Sequence, residues 1–192
     1  MDESVGNIMD ALERKGYTEN TLVVFLTDQG GRFGNPPFTG GKKHKTLCEG
    51  GSRVPLILKL GNRFAAGEIE TPVSSLDLFP TIIHLAGIDP AEFPFLDGDN
   101  LVPLINGETD ALEQRSIISY RSYEDMYASI HRGKWKFIAF RSGEVELYDL
   151  SRDIAEENDL SSMEPEMVQD FNRELEKWEK EKKVYKFRKN SL

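Results

Sequence analysis

Residues 21–55 read TLVVFLTDQGGRFGNPPFTGGKKHKTLCEGGSRVP, a strand-like run followed by a long loop rich in glycine and basic residues. The first part, residues 21–27, is apolar and β-branched and ends abruptly at Asp28. A short run that is apolar on both faces is typical of a buried strand in a parallel sheet. A second apolar run, residues 54–60, follows the loop. The segment therefore predicts an α/β fold.

Two side chains with oxygen atoms stand at the end of the first predicted strand, Asp28 and Gln29. In open α/β sheets, ligands gather at the carboxyl ends of strands. Carboxylate and amide oxygens suit a hard cation such as Ca²⁺ or Mg²⁺, although two ligands do not complete a site. The alternative is a plain turn, since Asp before Gly-Gly is common where a strand ends. Local sequence alone favours the turn.

The loop carries four consecutive bases, Lys42-Lys43-His44-Lys45. Nearby Pro-Pro and Gly-Gly pairs exclude regular secondary structure there. Such a cluster can bind an oxyanion such as sulfate or phosphate, or it can be a solvated basic loop. The single cysteine, Cys48, lies in an apolar context and is interpreted as a small buried hydrophobe.

The rest of the chain shows helical and strand-like periodicity. Helical spacing predicts helices over residues 2–16, 78–86 and 165–183, and Asp77 is expected to cap the second of them. Strand-like runs separated by turn signals predict an antiparallel sheet of hairpins over residues 117–120, 127–131, 135–140 and 145–150. We therefore expect an α/β core over residues 1–115 and a smaller α+β subdomain over residues 116–192. The last basic stretch, residues 182–189, is expected to be a tail.

The composition excludes several classes of protein. The formal net charge of the 192 residues is −9, which argues against a general nucleic-acid binder. A single cysteine permits no internal disulfide. No apolar run approaches the ~18 residues of a membrane span, and the acidic start does not have the pattern of a signal peptide. Neither a membrane nor a nucleic-acid partner is expected.

An ordered set of motifs resembles the C-terminal half of the type I sulfatases, which belong to the alkaline-phosphatase-like superfamily. The resemblance extends from about residue 2 to about residue 180. Its motifs are Asp28-Gln29-Gly30, Gly40-Gly41-Lys42, Glu49-Gly50-Gly51-x-Arg53-Val54-Pro55, Leu76-Asp77-Leu78-Phe79-Pro80-Thr81, Asp97-Gly98, and Leu147-Tyr148-Asp149-Leu150 with Asp153 and Glu156.

The resemblance implies the C-terminal part of an alkaline-phosphatase-like parallel-sheet core, followed by a small antiparallel sheet with a packed C-terminal helix. Asp28 matches a metal-binding aspartate, and Gln29 matches the adjacent ligand position, where Asn or His is more usual. The implied metal is Ca²⁺ rather than Mg²⁺. The family's catalytic lysine, five residues before the Glu of Glu-Gly-Gly, falls on His44 between Lys43 and Lys45, so these three residues are all candidates.

The resemblance also implies structural roles for the charged residues of the Glu-Gly-Gly-x-Arg motif. Glu49 and Arg53 are expected to pair with each other or to cap the loop.

The family's nucleophile is a formylglycine made from a Cys/Ser-x-Pro-x-Arg motif, which does not occur in these 192 residues. We expect that residue, two further aspartates and a histidine in an N-terminal half of the core, which would be a necessary partner. The piece alone is then expected to be inactive, and the completed protein to hydrolyse a sulfated small molecule or glycan.

Two alternatives remain open. The chain could be an inert sulfatase-like remnant that acts as a binding module, or part of a phosphodiesterase or phosphonate hydrolase of the same superfamily. Family members are often periplasmic, secreted or lysosomal, but the sequence leaves the compartment of this chain open.

Overall fold

A computed structural model describes residues 1–184 as a mixed α/β protein. The first part contains two strands and four helices: α1 (Asp2–Arg14), β1 (Leu22–Leu26), α2 (Glu49–Ser52), β2 (Leu56–Leu60), α3 (Leu78–Leu85) and α4 (Val102–Ile105). The second part contains β3 (Ser116–Tyr120), β4 (Met126–Arg132), β5 (Trp135–Phe140), β6 (Val145–Asp149) and α5 (Pro165–Glu181). The predicted α/β class is confirmed.

The pairing of β1 differs from the prediction. Within residues 1–184, β1 pairs only with β2, and the two strands are antiparallel, with Val24 opposite Leu58. The strand is also half-buried rather than buried, and Leu26 at its end is 40% exposed. The neighbour of β1 within residues 1–184 is thus antiparallel and not the expected parallel one, because apolar residues on both faces indicate a tendency to be covered but not the direction of the neighbouring strand.

The four strands of the second part form an antiparallel sheet in the order β3-β4-β5-β6, as predicted. Alternating residues of β5 pack in opposite directions. Phe137 stacks on Phe171 of α5 with ring centroids 5.4 Å apart, whereas Ile138 belongs to a cluster with Leu47 and Cys48 of the long loop. The sheet therefore has α5 on one face and the loop after β1 on the other.

Asp77 does not cap α3 with its side chain. Its buried carboxylate instead accepts two hydrogen bonds from Arg115, at 2.7 and 2.6 Å, and others from the backbone N–H groups of Ser74 and Asp99. Burial alone would raise the pKa of Asp77, but these donors outweigh burial and lower it below the ordinary value. The ion pair between Asp77 and Arg115 thus links the start of α3 to the segment before β3.

Three further expectations concern the ends and the division of the chain. Most of the predicted basic tail, from residue 185 onward, lies outside the described residues. Among the residues described, no helix has the length and apolar character needed to cross a bilayer. The division at residues 115 and 116 stays a prediction.

Candidate functional site

The predicted metal pair lies where the sequence placed it, directly after β1. Asp28 is highly exposed, with 75% of its side chain accessible, and its carboxylate pairs with the Lys42 ammonium at 2.7 Å. The hydrogen bond and the charge of Lys42 lower the pKa of Asp28 below its ordinary value. The structure therefore brings the strand end and the basic loop together, and a cation already lies beside the Asp28 carboxylate.

Close backbone contacts hold the strand end in place. The Gly30 N–H donates to the Gly51 carbonyl at 3.0 Å, and the Asn35 side chain donates to the Gly50 carbonyl at 2.7 Å. A Cβ built at Gly30 would overlap the Gly50 carbonyl oxygen. Only glycine permits this approach, so the residue after Gln29 is fixed against the α2 turn.

The basic loop is a tight turn in contact with the same strand end. The Gly41 N–H donates to the His44 carbonyl at 2.8 Å, and the Lys42 N–H donates to the Gly31 carbonyl at 3.0 Å. Lys43, His44 and Lys45 are exposed on this turn. Which of the three candidates contacts an oxyanion stays a prediction, because all three side chains face solvent.

The α2 turn behind the strand end is anchored to the antiparallel sheet by a buried ion pair. The Lys136 ammonium of β5 lies 2.9 Å from the Glu49 carboxylate, and the two side chains are only 3% and 2% exposed. Lys136 also donates to the Ser52 hydroxyl at 3.1 Å. Burial alone would raise the pKa of Glu49, but Lys136 outweighs it and lowers the pKa below the ordinary value. The predicted pairing of Glu49 with Arg53 is also present, at 3.5 Å.

A second carboxyl group approaches the α2 turn from the loop after β6. Glu156 is 4% exposed, and its Oε2 accepts the Glu49 backbone N–H at 2.8 Å. Its Oε1 has no hydrogen-bond partner among residues 1–184. Burial raises the pKa of Glu156 to about 7, and the negative charge of Glu49 adds to this effect. The carboxyl group is therefore largely protonated below neutral pH.

Sequence reasoning missed Lys136 and saw Glu156 only as part of a motif. A lysine inside the apolar run Trp135–Phe140 was a usable signal, because a strand position with apolar neighbours predicts burial, and buried lysine needs a carboxylate. Nothing in the local sequence indicated that the partner would be Glu49, 87 positions away.

Cys48 is a buried hydrophobe, as predicted, with 2% of its surface exposed. Burial raises the pKa of its thiol to about 12, and the charge of Glu156 contributes. A thiol that remains protonated at neutral pH is a poor nucleophile. Cys48 therefore packs the loop onto the sheet and does not supply an attacking group.

The donor set at the strand end fits part of a hard-cation site. Asp28 and Gln29 offer a carboxylate and an amide oxygen, and the carboxylate already attracts a cationic group. Ca²⁺ takes six to eight oxygen ligands. No cluster of three or more His, Cys, Asp or Glu side chains suited to a metal occurs within residues 1–184. Ca²⁺ also takes backbone carbonyls and water, so these two side chains would be only part of its ligand set.

Comparisons with known proteins identify sulfatases as relatives of this chain. The Sulfatase family profile matches residues 1–88. Choline-sulfatase of Rhizobium meliloti (strain 1021) is 35% identical over 166 residues, which cover 84% of this chain and 31% of that protein. Human (Homo sapiens) steryl-sulfatase is 34% identical over 133 residues, covering 62% of this chain and 22% of that protein.

The fold agrees as well. The crystal structure of Ps i-CgsB superposes with a TM-score of 0.83 at 33% identity, covering 92% of this chain and 40% of that one. The architecture is therefore that of the alkaline-phosphatase-like sulfatases. The chain belongs to the sulfatase family and corresponds to its C-terminal portion. It spans about a third or less of the length of the curated relatives named here.

Proposed function

We propose that this chain supplies part of the active site of a sulfate-ester hydrolase. Asp28 and Gln29 are the oxygen ligands of a Ca²⁺ ion, and one base among Lys43, His44 and Lys45 binds the sulfuryl oxygens. The observation that carries the proposal is the junction between the strand end and the basic turn. The Lys42–Asp28 ion pair and the Lys42–Gly31 backbone hydrogen bond hold the two together.

Sulfate-ester hydrolysis requires stabilisation of negative charge on the sulfuryl oxygens and a proton for the departing alcohol. A bound divalent cation would act as a Lewis acid toward those oxygens. The exposed bases lie on the turn that Lys42 joins to the strand end, and we assign to His44 the role of a candidate proton donor for the leaving oxygen. The buried thiol of Cys48 does not serve as nucleophile, so another segment must provide one.

The substrate class we propose is a sulfated small molecule or glycan. Choline-sulfatase and steryl-sulfatase are named for small sulfate esters, and Ps i-CgsB has been crystallised with k-i-k-neocarrahexaose, an oligosaccharide. Each of these proteins exceeds 30% identity with this chain. No contact within residues 1–184 favours phosphodiester or phosphonate chemistry over sulfate-ester hydrolysis.

The purified chain of 192 residues is expected to show no turnover of a chromogenic aryl sulfate, with or without Ca²⁺. The physical reason is the lack of an attacking group, because the only thiol is buried with a raised pKa and no Cys/Ser-x-Pro-x-Arg motif occurs. Release of the coloured phenol above the buffer rate, retained after repeated purification, would contradict this prediction. A complete sulfatase assayed in parallel confirms that the conditions support catalysis.

Calcium binding tests the metal ligands without requiring activity. We expect the chain to bind Ca²⁺ weakly by calorimetry, with a Kd of about 1 mM, which is the weak end of the range for protein calcium sites. Asp28→Ala should abolish binding, because it removes the only charged ligand. Lys42→Met should tighten binding, because the ammonium at 2.7 Å competes with the metal for the carboxylate.

The matched control is Asp10→Ala, which removes one exposed carboxylate from α1. It should leave Ca²⁺ binding unchanged. Equal losses of Ca²⁺ affinity in the Asp10 and Asp28 variants would show that binding depends only on the net negative charge of the protein. The proposed metal role of Asp28 would then be wrong.

A further inference from the structure

A pocket of about 270 Å³ lies between the segment after β2 and the helices α3 and α4. Half of its lining residues are apolar and half-buried, and the other half are polar and exposed. The apolar residues are Phe64, Leu85 and Val102, and the polar residues are Arg63, His84 and Asn106. Sites for small molecules typically combine an apolar lining with a few polar groups that fix the orientation of the ligand. The pocket has this composition.

The pocket lies at the opposite end of the β1–β2 pair from the predicted metal ligands. Strand β2 begins opposite Leu26, two residues before Asp28, and ends at Leu60. Arg63 follows three residues after that end. Because a strand rises about 3.3 Å per residue, the two ends of β2 are roughly 13 Å apart. The pocket contains none of the residues proposed above for sulfate-ester hydrolysis.

A turn at the end of β2 fixes the position of Arg63. The Arg63 N–H donates to the Leu60 carbonyl at 2.9 Å, and Gly61 has a φ of +49°, which favours glycine. The Glu19 carboxylate beside this turn accepts the backbone N–H and the side-chain amide of Asn62, at 3.4 and 3.3 Å. Glu19 therefore holds the turn through Asn62 and does not pair with Arg63.

The two basic side chains of the pocket have no partner in the part of the chain that the structure describes. Within residues 1–184, neither Arg63 nor His84 forms an ion pair or a side-chain hydrogen bond. Asn106, by contrast, donates to the Glu108 carboxylate at 2.9 Å. The guanidinium of Arg63 thus carries an uncompensated positive charge beside apolar walls, and such a charge attracts an anion.

We propose that this pocket binds a small carboxylate that carries an apolar ring. The planar guanidinium of Arg63 presents two parallel N–H donors, which match the two oxygens of a carboxylate. The ring packs against Phe64 and Leu85, and His84 and Asn106 offer further N–H donors at the rim. The volume of about 270 Å³ suits a single-ring acid. The inference goes beyond the proposed function, because it assigns a ligand to residues that sulfate-ester hydrolysis leaves without a role.

The test is a titration of the ¹⁵N-labelled chain with sodium benzoate, followed by amide NMR. We expect saturable shifts at Arg63, Phe64 and Leu85. Arg63→Gln should weaken binding about tenfold, the loss expected for charge-assisted hydrogen bonds, and Arg63→Lys should fall between this variant and the unmodified chain. Glu108→Gln should tighten binding about threefold, because it removes a negative charge next to Asn106.

Two ligand controls separate the charge from the ring. Benzamide has the ring without the charge, and acetate has the charge without the ring. Both should bind about tenfold more weakly than benzoate, or more weakly still. An affinity for either compound equal to that for benzoate would overturn the inference.

The matched protein control is Arg14→Gln, which removes one exposed positive charge at the end of α1. It should leave benzoate binding unchanged. Equal effects of the two glutamine variants, at Arg14 and at Arg63, would overturn the inference, as would the lack of any saturable shift in the unmodified chain. None of these measurements involves Asp28 or a metal, so their failure and the failure of the proposed function are distinguishable.

Discussion

Replacing Lys136 by methionine is expected to lower the free energy of unfolding by roughly 3–5 kcal/mol. The variant removes the ammonium that lies 2.9 Å from the buried Glu49 carboxylate. Breaking a buried ion pair from one side leaves a charge with neither water nor a counter-ion. Arg53 remains 3.5 Å from Glu49, but it is about half exposed and compensates only in part. Urea unfolding followed by circular dichroism measures the loss.

Two companion variants make this result specific. Lys134→Met breaks a neighbouring pair in which the lysine is half exposed, and although the Asp149 side chain is 8% exposed, its carboxylate keeps the Ser151 N–H as a donor, so the cost should be only about 1 kcal/mol. Adding Glu49→Gln to Lys136→Met removes the orphaned charge and should restore most of the stability. Similar costs for the Lys136 and Lys134 variants would show that burial gives the Glu49–Lys136 pair no special weight.

The Glu49–Lys136 pair connects the antiparallel sheet to the candidate site. Glu49 opens the α2 turn, and the carbonyl of Gly51 in that turn accepts the Gly30 N–H, next to the predicted metal ligands Asp28 and Gln29. The position of Asp28 and Gln29 thus depends on a lysine more than 100 residues further along the chain. The smaller sheet therefore contacts the α2 turn that lies behind the candidate site.

Local patterns predicted the elements of this fold well. The strands β3 to β6 lie within about one residue of their predicted positions, because alternation and turn signals are local properties. The motif at Asp28 and Gln29 correctly located the strand end. The antiparallel partner of β1 was not predictable, because a run of apolar residues carries no information on strand direction.

Long-range polar contacts were also beyond the reach of sequence patterns. Asp77 has the position of a helix cap, yet its carboxylate binds Arg115, 38 residues away, because a buried charge requires an ion-pair partner wherever the fold provides one. The same holds for Glu49 and Lys136. Such pairs are decided by which segments meet in three dimensions, and neither spacing nor composition reports this.

Glu156 gives the folded chain a pH dependence that a single substitution should remove. Its pKa rises from the ordinary value of 4.5 to about 7 in the folded state, because burial disfavours the charged carboxylate. The folded state therefore holds the proton more tightly than the unfolded state does. The stabilising contribution is complete below pH 4.5 and is lost as the pH rises through 7, a decline of about 3 kcal/mol.

Glu156→Gln is expected to abolish this decline, because the amide cannot ionise and its carbonyl can still accept the Glu49 N–H. The difference in unfolding free energy, variant minus unmodified chain, should rise by about 3 kcal/mol between pH 4.5 and pH 8 in urea titrations. The matched control Glu157→Gln alters an exposed neighbour and should leave the profile unchanged.

Parallel profiles for the Glu156 variant and the unmodified chain would mean that Glu156 is already ionised at pH 5. The buried carboxylate would then need a proton donor or a water molecule at Oε1, the atom that has no partner within residues 1–184.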